Sequence, residues 1–447
     1  MQPMVWITIL TFFGTLGFIL WRPRGLNEAI PATIGAIIVI LSGSVPLRDL
    51  GIITETISGA AITIMATIVM AIVLESFGFF NWVAEKLAEK ARGSGVRLFW
   101  YVNLLCFVMT LFFNNDGSIL ITTPILIMLL NNMGLKNHQK IPYLLSGAII
   151  ATASSAPIGV SNIVNLIALK IVDMSLYMQA AMMFVPATLG LLLLVWLLFL
   201  RFKKDLPKTV PISATGLSFS SYHPLKYNPT TYSDNGRTRF MLYVLLFIFA
   251  VRVSLFVASF LSIPVSLMAV IGSLVLLGWR WAYLKIPPGD MLKKTPWYII
   301  VFAFSMYVII YGLNNIGLSD WLIEFMRPLV SGSLLHASVL MGLLLTVLSN
   351  LFNNHPALMI GTITLTNLNL DMLSLKVSYL ASVIGSDVGS LILPMGTLAT
   401  LMWMHIVRRG KVIITWWEYI KITIVVIPPT LIFTLVVLYY WVSWLFV

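Results

Sequence analysis

The sequence has few charged residues and almost no cysteine. Only 10% of its 447 residues are Asp, Glu, Lys or Arg, whereas a soluble protein carries about 25%. The single cysteine, Cys106, excludes an intrachain disulfide, a CxxC site and a centre with three thiolate ligands. HExxH, Walker A and comparable catalytic signatures are also absent. We therefore expect no enzyme, no metal site and no cofactor.

The sequence consists largely of long hydrophobic segments. Hydrophobic residues make up 59% of the chain, and apolar runs of about 20 residues, long enough to cross a bilayer, recur throughout. These runs predict an all-α polytopic membrane protein with about ten transmembrane helices. We place the membrane spans at residues 4–21, 28–45, 56–80, 142–170, 176–200, 240–261, 264–281, 297–317, 377–407 and 421–445.

Two further apolar segments, 98–131 and 336–370, are interrupted by polar clusters. The first contains the sequence FNNDG at residues 113–117, and the second contains FNNHP at residues 352–356. Backbone that leaves a helix within a bilayer has to be buried in protein or line a water-filled cavity. We therefore predict two re-entrant hairpins, and paired interruptions of this kind indicate the binding site of a transporter.

Two predicted spans are also broken, and the breaks recur in the same order in both halves of the chain. The sequence APIGV at residues 156–160 interrupts the span 142–170, and LPMGT at residues 393–397 interrupts the span 377–407. The hairpin motifs and the Pro-x-Gly motifs recur at nearly the same offset, which predicts duplicated halves. The predicted division is 1–201 for the first repeat, 202–239 for a polar linker, and 240–447 for the second repeat.

The basic residues indicate the topology. If the linker lies in the cytoplasm and the spans alternate, nearly all Lys and Arg residues fall in cytoplasmic loops, as the positive-inside rule requires. The outside loops then hold only Arg48, Lys170, Arg327 and Lys376. Both termini are predicted outside the plasma membrane, and the two repeats are inverted relative to each other. Because the net charge of +12 is spread over short loops, it does not indicate a nucleic-acid partner.

Three titratable residues of the interrupted segments are candidates for proton coupling: Asp116, Asp387 and His355. Removal from water disfavours a charged carboxylate, so each aspartate is a candidate proton carrier. The alternative is that one of them is permanently paired with Arg252, which falls within a span. We expect His355, at the second hairpin tip, to be neutral and hydrogen-bonded.

The same segments supply the candidates for substrate binding. Amide and hydroxyl groups suit a neutral polyhydroxyl solute or a desolvated cation, and the tips have no neighbouring Lys or Arg for a multivalent anion. The alternative role of these residues is to cap helices or satisfy helix backbones. The candidates are Asn114, Asn115, Ser155, Gly159, Ser161, Asn162, Asn353, Asn354 and Thr397.

At these residues the sequence resembles the ArsB family of arsenite and antimonite efflux proteins, within the ion-transporter superfamily. The resemblance covers most of the chain, and one departure from it is His355, where the family more often has an apolar residue. The motifs that carry it are ESFGFF at 75–80, FNNDG at 113–117 running to Thr123-Pro124, GVSN at 159–162, the Asn-Asn pair at 353–354, and GSDVG at 385–389 through PMGTLAT at 394–400.

The resemblance implies export of the neutral trihydroxide of arsenite or antimonite in exchange for protons, in some cases with a cytoplasmic ATPase that arsenite stimulates. Alternatives are a Na⁺/H⁺ antiporter or a sodium-coupled dicarboxylate carrier of the same superfamily. A remote one is an intramembrane enzyme such as an aspartyl protease, whose Tyr-Asp and Gly-x-Gly-Asp motifs do not surround Asp116 or Asp387. A homodimer is left open. The family positions matched here are Asn114, Asn115, Asp116, Asn353, Asn354 and Asp387.

Overall fold

The computed structural model describes residues 2–23, 26–210, 234–330 and 332–446, and within them every regular element is helical. The first half contains α1 (Gln2–Trp21), α2 (Ala29–Leu41), α3 (Asp49–Ser76), α4 (Phe79–Ala91), α5 (Gly95–Phe112), α6 (Asn115–Asn132), α7 (Asn137–Ala153), α8 (Ile163–Ile171) and α9 (Leu176–Phe202). The second half contains α10 (Asp234–Phe260), α11 (Val265–Leu284), α12 (Gly289–Lys294), α13 (Tyr298–Asn315), α14 (Leu318–Val330), α15 (Leu334–Phe352), α16 (Asn354–Thr366), α17 (Met372–Asp387), α18 (Leu398–Arg409) and α19 (Trp416–Phe446).

Ten helices of the described ranges are long and apolar enough to cross a membrane, which confirms the predicted polytopic helical fold. The set differs from the predicted spans in two places. The span 28–45 becomes the 13-residue α2, and the span 142–170 is divided between α7 and α8. In their place stand the first arms of the two hairpins, α5 with 18 residues and α15 with 19. Because these arms have the length of a span, re-entrance of the hairpins stays a prediction.

Several helices begin or lie where the sequence predicted loops. Helix α3 begins at Asp49, before the predicted start of its span at residue 56, and hydroxyl groups of its polar first turns bond back to the helix, as Thr54 Oγ1 does to Leu50 O at 2.7 Å. Helices α4 and α14 mix charged and apolar residues, a composition typical of helices at a membrane surface. Helix α10 begins inside the predicted linker, of which residues 211–233 lie outside the described ranges.

Helices of the two halves pack against each other in reciprocal pairs. Helix α3 contacts α11, and α13 contacts α2. Likewise α18 contacts α6, and α8 contacts α16, while α9 and α19 contact each other. The short helix after each broken span therefore packs on the second arm of the other half's hairpin.

The break after α17 is held against α15 by close backbone packing and one amide. A Cβ atom on Gly385 would lie 2.3 Å from the carbonyl oxygen of Gly342, so only glycine fits there. The side-chain amide of Asn350 donates to the carbonyl oxygen of Gly389 at 2.9 Å and accepts from the amide of Leu393 at 2.8 Å. These contacts fix the irregular backbone on which the second half's break depends.

A buried arginine at the end of α11 fixes the loop that follows. Arg280 donates to both carboxylate oxygens of Asp290 in α12, at 3.0 and 2.7 Å, and to Ser76 Oγ at the end of α3. Burial by itself would raise the pKa of Asp290, but the hydrogen bond and charge of Arg280, together with Lys294, hold this pKa below its usual value. The pair therefore joins α3, α11 and α12 at one end of the bundle.

Candidate functional site

All four predicted interruptions are present as gaps between helices. Helix α5 ends at Phe112 and α6 begins at Asn115, and helix α15 ends at Phe352 and α16 begins at Asn354. The broken spans leave the α-helical conformation after Ala153 and after Asp387, and short 3₁₀ turns fill part of each gap. At four places, then, a new helix starts within an apolar part of the chain.

Each of these new helices begins with a side-chain cap. Capping satisfies one of the backbone N–H groups that the first turn of a helix leaves unpaired. Helix capping, which is the alternative role of the predicted binding residues, is therefore confirmed for some of them. The capping oxygen of Asn114 accepts from Gly117 N at 2.8 Å, that of Asn162 from Val164 N at 3.2 Å, that of Asn353 from His355 N at 3.5 Å, and that of Thr397 from Thr400 N at 3.0 Å.

The starts of the four helices meet at one cavity. Its wall includes Asp116 of α6, Ile163 of α8, His355 of α16 and Leu398 of α18, each the first or second residue of its helix. The cavity is small, with a volume of about 20 Å³. That is room for about one ordered water, so the cavity is nearly closed. The rest of the wall consists of Glu28, Leu120, Tyr298, Ile299, Phe302 and Met402.

The cavity is positively polarised by backbone and holds unpaired polar side chains. Helix N-termini carry a partial positive charge and point N–H groups at whatever lies in front of them. Within the described residues, Asp116 Oδ1 and both ring nitrogens of His355 are buried and have no hydrogen-bond partner. The imidazole instead packs edge-on against Phe302, with ring centroids 5.8 Å apart. The prediction that His355 is hydrogen-bonded is therefore wrong. Buried polar groups that have no protein partner are free to bind a ligand.

The second aspartate has a different environment. Asp387 is fully buried at the end of α17 and accepts three hydrogen bonds, from Ser155 Oγ at 2.7 Å, Asn162 Nδ2 at 3.1 Å and Asn165 Nδ2 at 2.7 Å. All three donors belong to the broken span of the first half. Asp387 therefore joins the two halves, and its carboxylate oxygens are occupied where Asp116 has an unpaired one.

Sequence reasoning missed two residues of this arrangement. Asn165 follows Asn162 by three residues and lies on the same face of α8, a spacing that signals a shared contact once the helix start is known. Glu28 is 5% exposed, lines the same cavity as Asp116 and forms an ion pair with Arg22. The sequence feature that could have identified Glu28 is its position as the first residue of the predicted span 28–45.

The other predicted binding residues lie in the segments that lead to the cavity and not on its wall. Asn115 Oδ1 accepts from the amide of Asp116 at 2.8 Å, and Asn353 Nδ2 donates to Met395 O at 3.2 Å. Buried atoms without a partner in the described ranges include Ser161 Oγ and Asn354 Oδ1. Contact of these residues with a solute stays a prediction.

Gly159 acts through the backbone. Its amide donates to Gln179 Oε1 at 3.0 Å, and a Cβ atom at this position would lie 2.2 Å from the same oxygen. Any larger residue would displace the Gln179 amide that holds the 3₁₀ turn of the first break against α9. Among the described residues, no three His, Cys, Asp or Glu side chains come together as a metal site requires.

The alternative interpretation, in which Arg252 is permanently paired with one of the aspartates, is wrong. Its guanidinium lies at the C-terminal end of α5, where Nε donates to the carbonyl oxygen of Phe112 at 2.6 Å and Nη2 donates to that of Phe113. The last carbonyl groups of a helix lack partners in the helix itself, and a cation at this end is favourable. Arg252 therefore caps the first arm of the hairpin directly before the tip at Asn114.

Replacement of Arg252 by methionine should leave these two buried carbonyl groups unpaired. Each hydrogen bond to a charged group contributes about 1.5–3 kcal/mol, so we expect the free energy of unfolding to fall by about 3 kcal/mol. Thermal unfolding of the purified protein in detergent measures this change. Arg239→Met, at an exposed position of the same helix α10, is the matched control and should shift stability by less than about 0.5 kcal/mol. Equal shifts for the two variants would show that Arg252 does not cap α5.

Comparisons with known proteins give the family. The family model described as "Arsenical pump membrane protein" matches residues 7–442. A Bacillus subtilis (strain 168) protein, "Putative arsenical pump membrane protein", is 59% identical over 441 residues, which cover 98% of this chain and all of that protein. The "Arsenical pump membrane protein" of Escherichia coli is 31% identical over 429 residues, which cover 96% of each chain.

A solved structure gives the fold. The Alcanivorax borkumensis YdaH transporter superposes with a TM-score of 0.50 over 88% of this chain and 87% of its own, at 15% sequence identity. At this identity the likeness concerns the fold alone. The family match covers nearly the whole sequence, including all four interruptions that surround the cavity. The chain is therefore a multi-pass membrane protein that belongs to the ArsB family of arsenical pump membrane proteins.

Proposed function

We propose that this protein exports arsenite or antimonite, as the neutral trihydroxide, in exchange for protons. The observation that carries the proposal is the buried cavity at which four helix starts surround Asp116. A trihydroxide presents three O–H donors and three oxygen acceptors. The carboxylate of Asp116 accepts from its hydroxyl groups, and the N–H groups at the helix starts donate to its oxygens.

The cavity suits a neutral solute better than the ions of the alternative carriers. A sodium ion would lie in front of four helix N-termini, whose partial positive charges repel a cation. A dicarboxylate would meet the carboxyl group of Asp116 on the cavity wall, where Glu28 is already paired with Arg22. A neutral molecule with both donors and acceptors avoids both conflicts. The names of the relatives, which are those of arsenical pumps, support the same choice.

Proton coupling follows if solute and proton compete for Asp116. The trihydroxide is larger than the one water molecule that the cavity holds in this conformation, so its binding requires the cavity to widen. The solute binds the ionised carboxylate through its hydroxyl groups, and protonation of Asp116 removes that acceptor. A proton entering from outside therefore displaces the solute, and an inward proton gradient drives efflux.

The conformational change in this proposal is a movement of two inverted repeats, residues 1–201 and 240–447, about the cavity. The reciprocal packing supports it, because exchanging the halves converts the α3–α11 pair into the α13–α2 pair and the α6–α18 pair into the α16–α8 pair. In the corresponding topology both termini lie outside the plasma membrane, and residues 202–239 lie in the cytoplasm. An ATPase partner and a homodimer are not needed for this mechanism.

Transport in inside-out vesicles tests the proposal. We expect arsenite to accumulate when the vesicle interior is acidic, and accumulation to disappear when an ionophore collapses the pH gradient. The control is vesicles without the protein under the same gradient. Arsenite uptake that ignores the gradient would contradict proton exchange. Sodium-dependent proton movement without arsenite uptake would assign the protein to the Na⁺/H⁺ antiporters instead.

A further inference from the structure

A long apolar groove lies apart from the cavity, between α4, α5 and α10. Its volume is about 510 Å³, a size typical of ligand sites. Along α5 its wall runs from Tyr101 to Phe113, about 18 Å at 1.5 Å per residue. The flanking side chains Leu104, Leu246 and Phe249 are more than half exposed, so the groove opens toward the hydrocarbon of the bilayer.

One end of the groove is basic. Lys86 and Lys90 both line it, one turn apart on the same face of α4. Only four residues separate Lys90 from the start of α5, so the lysines lie at the end marked by Tyr101. Trp82 and Tyr101, which also line the groove, are the residue types that concentrate at the edge of a membrane. The groove is therefore apolar along its length and cationic where it reaches the membrane surface.

The neighbouring acidic residues do not cancel this charge. Glu85 is taken up by an ion pair with Arg237 at 3.1 Å. Glu89 pairs with Lys86 at 2.9 Å, but an exposed pair of this kind contributes at most about 1 kcal/mol and yields to a better anion. Lys90 is exposed at the groove's end. A phosphate placed between Lys86 and Lys90 would gain two cationic donors.

We propose that this groove binds one anionic phospholipid, with an acyl chain along α5 and its phosphate at Lys86 and Lys90. An acyl chain matches the length and the apolar wall, and the two ammonium groups complement a net negative headgroup. A zwitterionic lipid would bring its own cationic group to the same place, so the site favours an anionic one such as phosphatidylglycerol. The chain's far end meets Phe112 and Phe113, whose carbonyl groups Arg252 caps. The bound lipid therefore supports the backbone that leads into the first hairpin tip.

Photolabelling of the purified full-length protein tests this site. The probes are phosphatidylglycerol and phosphatidylcholine with the same diazirine-bearing acyl chain, incorporated at equal amounts into nanodiscs. We expect phosphatidylglycerol to label the peptides that contain residues 101–113 and 242–249 in preference to phosphatidylcholine. The double variant Lys86→Gln/Lys90→Gln should lower labelling by phosphatidylglycerol roughly 25-fold, since each of the two basic residues near a membrane surface contributes about a fivefold preference.

The matched control is Lys203→Gln/Lys204→Gln, two exposed lysines at the end of α9 that do not line the groove, and it should label like the wild type. Val108→Trp, which fills the groove from α5, should lower labelling by both lipids. Equal labelling by the two lipids, or a fall of less than about twofold in the Lys86 and Lys90 variant, would overturn the proposal and leave only the general contact of a membrane protein with its bilayer. Gel filtration of each variant separates loss of binding from loss of fold.

Discussion

Replacement of Asp116 by asparagine is expected to remove the whole gradient-dependent component of arsenite uptake in inside-out vesicles. Asparagine has nearly the same shape as aspartate, but its side chain does not take up or release a proton at physiological pH. It therefore cannot exchange a proton for a solute. The unpaired Oδ1 and the position on the cavity wall make Asp116 the carboxyl group most directly available to both. Residual uptake down an arsenite gradient should continue if the variant still binds the neutral solute.

The control for this variant is the same chemical change at Asp371. That residue caps α17 by accepting from Ser374 N at 3.0 Å, and asparagine caps a helix about as well as aspartate. Asp371→Asn should therefore transport like the wild type. Gradient-dependent uptake that survives Asp116→Asn would move the proton carrier to another group, and Glu28, on the same cavity wall, would be the next to test.

The sequence was sufficient for the features that depend on local composition. Asn-Asn pairs inside apolar segments predicted the gaps after Phe112 and Phe352, because amide side chains compete with a helix and cap the next one. The recurrence of FNNDG as FNNHP placed Asp116 and His355 at corresponding tips, and in the structure both line one cavity. Length and hydropathy likewise predicted most of the long helices.

The contacts that depend on tertiary packing could not be predicted from the sequence. Arg252 has backbone carbonyl groups as partners. Every residue has such a group, so the sequence does not show which ones a side chain will bind. Asp387 was classed with Asp116 because both are acidic residues of interrupted segments. Only the fold brings Ser155, Asn162 and Asn165 around one of them and leaves an oxygen of the other unpaired. Hydropathy also failed for α4 and α14, because a surface helix is apolar on one side alone.

The different environment of Asp387 leads to a prediction about stability. Asp387→Ala should lower the free energy of unfolding by about 3–5 kcal/mol, since it removes one partner from a buried polar cluster and leaves the amide donors of Asn162 and Asn165 unpaired, while Ser155 Oγ can donate to Thr152 O. Asp387→Asn should lower the free energy of unfolding by less than Asp387→Ala does, because one acceptor oxygen remains. Its amide nitrogen still faces the other donors, so some stability is lost. Thermal unfolding in detergent, followed by loss of the monodisperse gel-filtration peak, measures both changes.

Ser386→Ala is the control for position, because this neighbouring buried hydroxyl makes only a long contact of 3.5 Å, to Asn354 O. It should change stability by less than about 1 kcal/mol. The comparison also separates the two aspartates. If Asp387 holds the first break to the second half, its alanine variant loses stability and transport together, whereas Asp116→Asn loses proton coupling and keeps the wild-type unfolding temperature. An Asp387→Ala protein as stable as the Ser386→Ala protein would mean that the three hydrogen bonds do not join the halves, and the carboxylate would again be a candidate proton carrier.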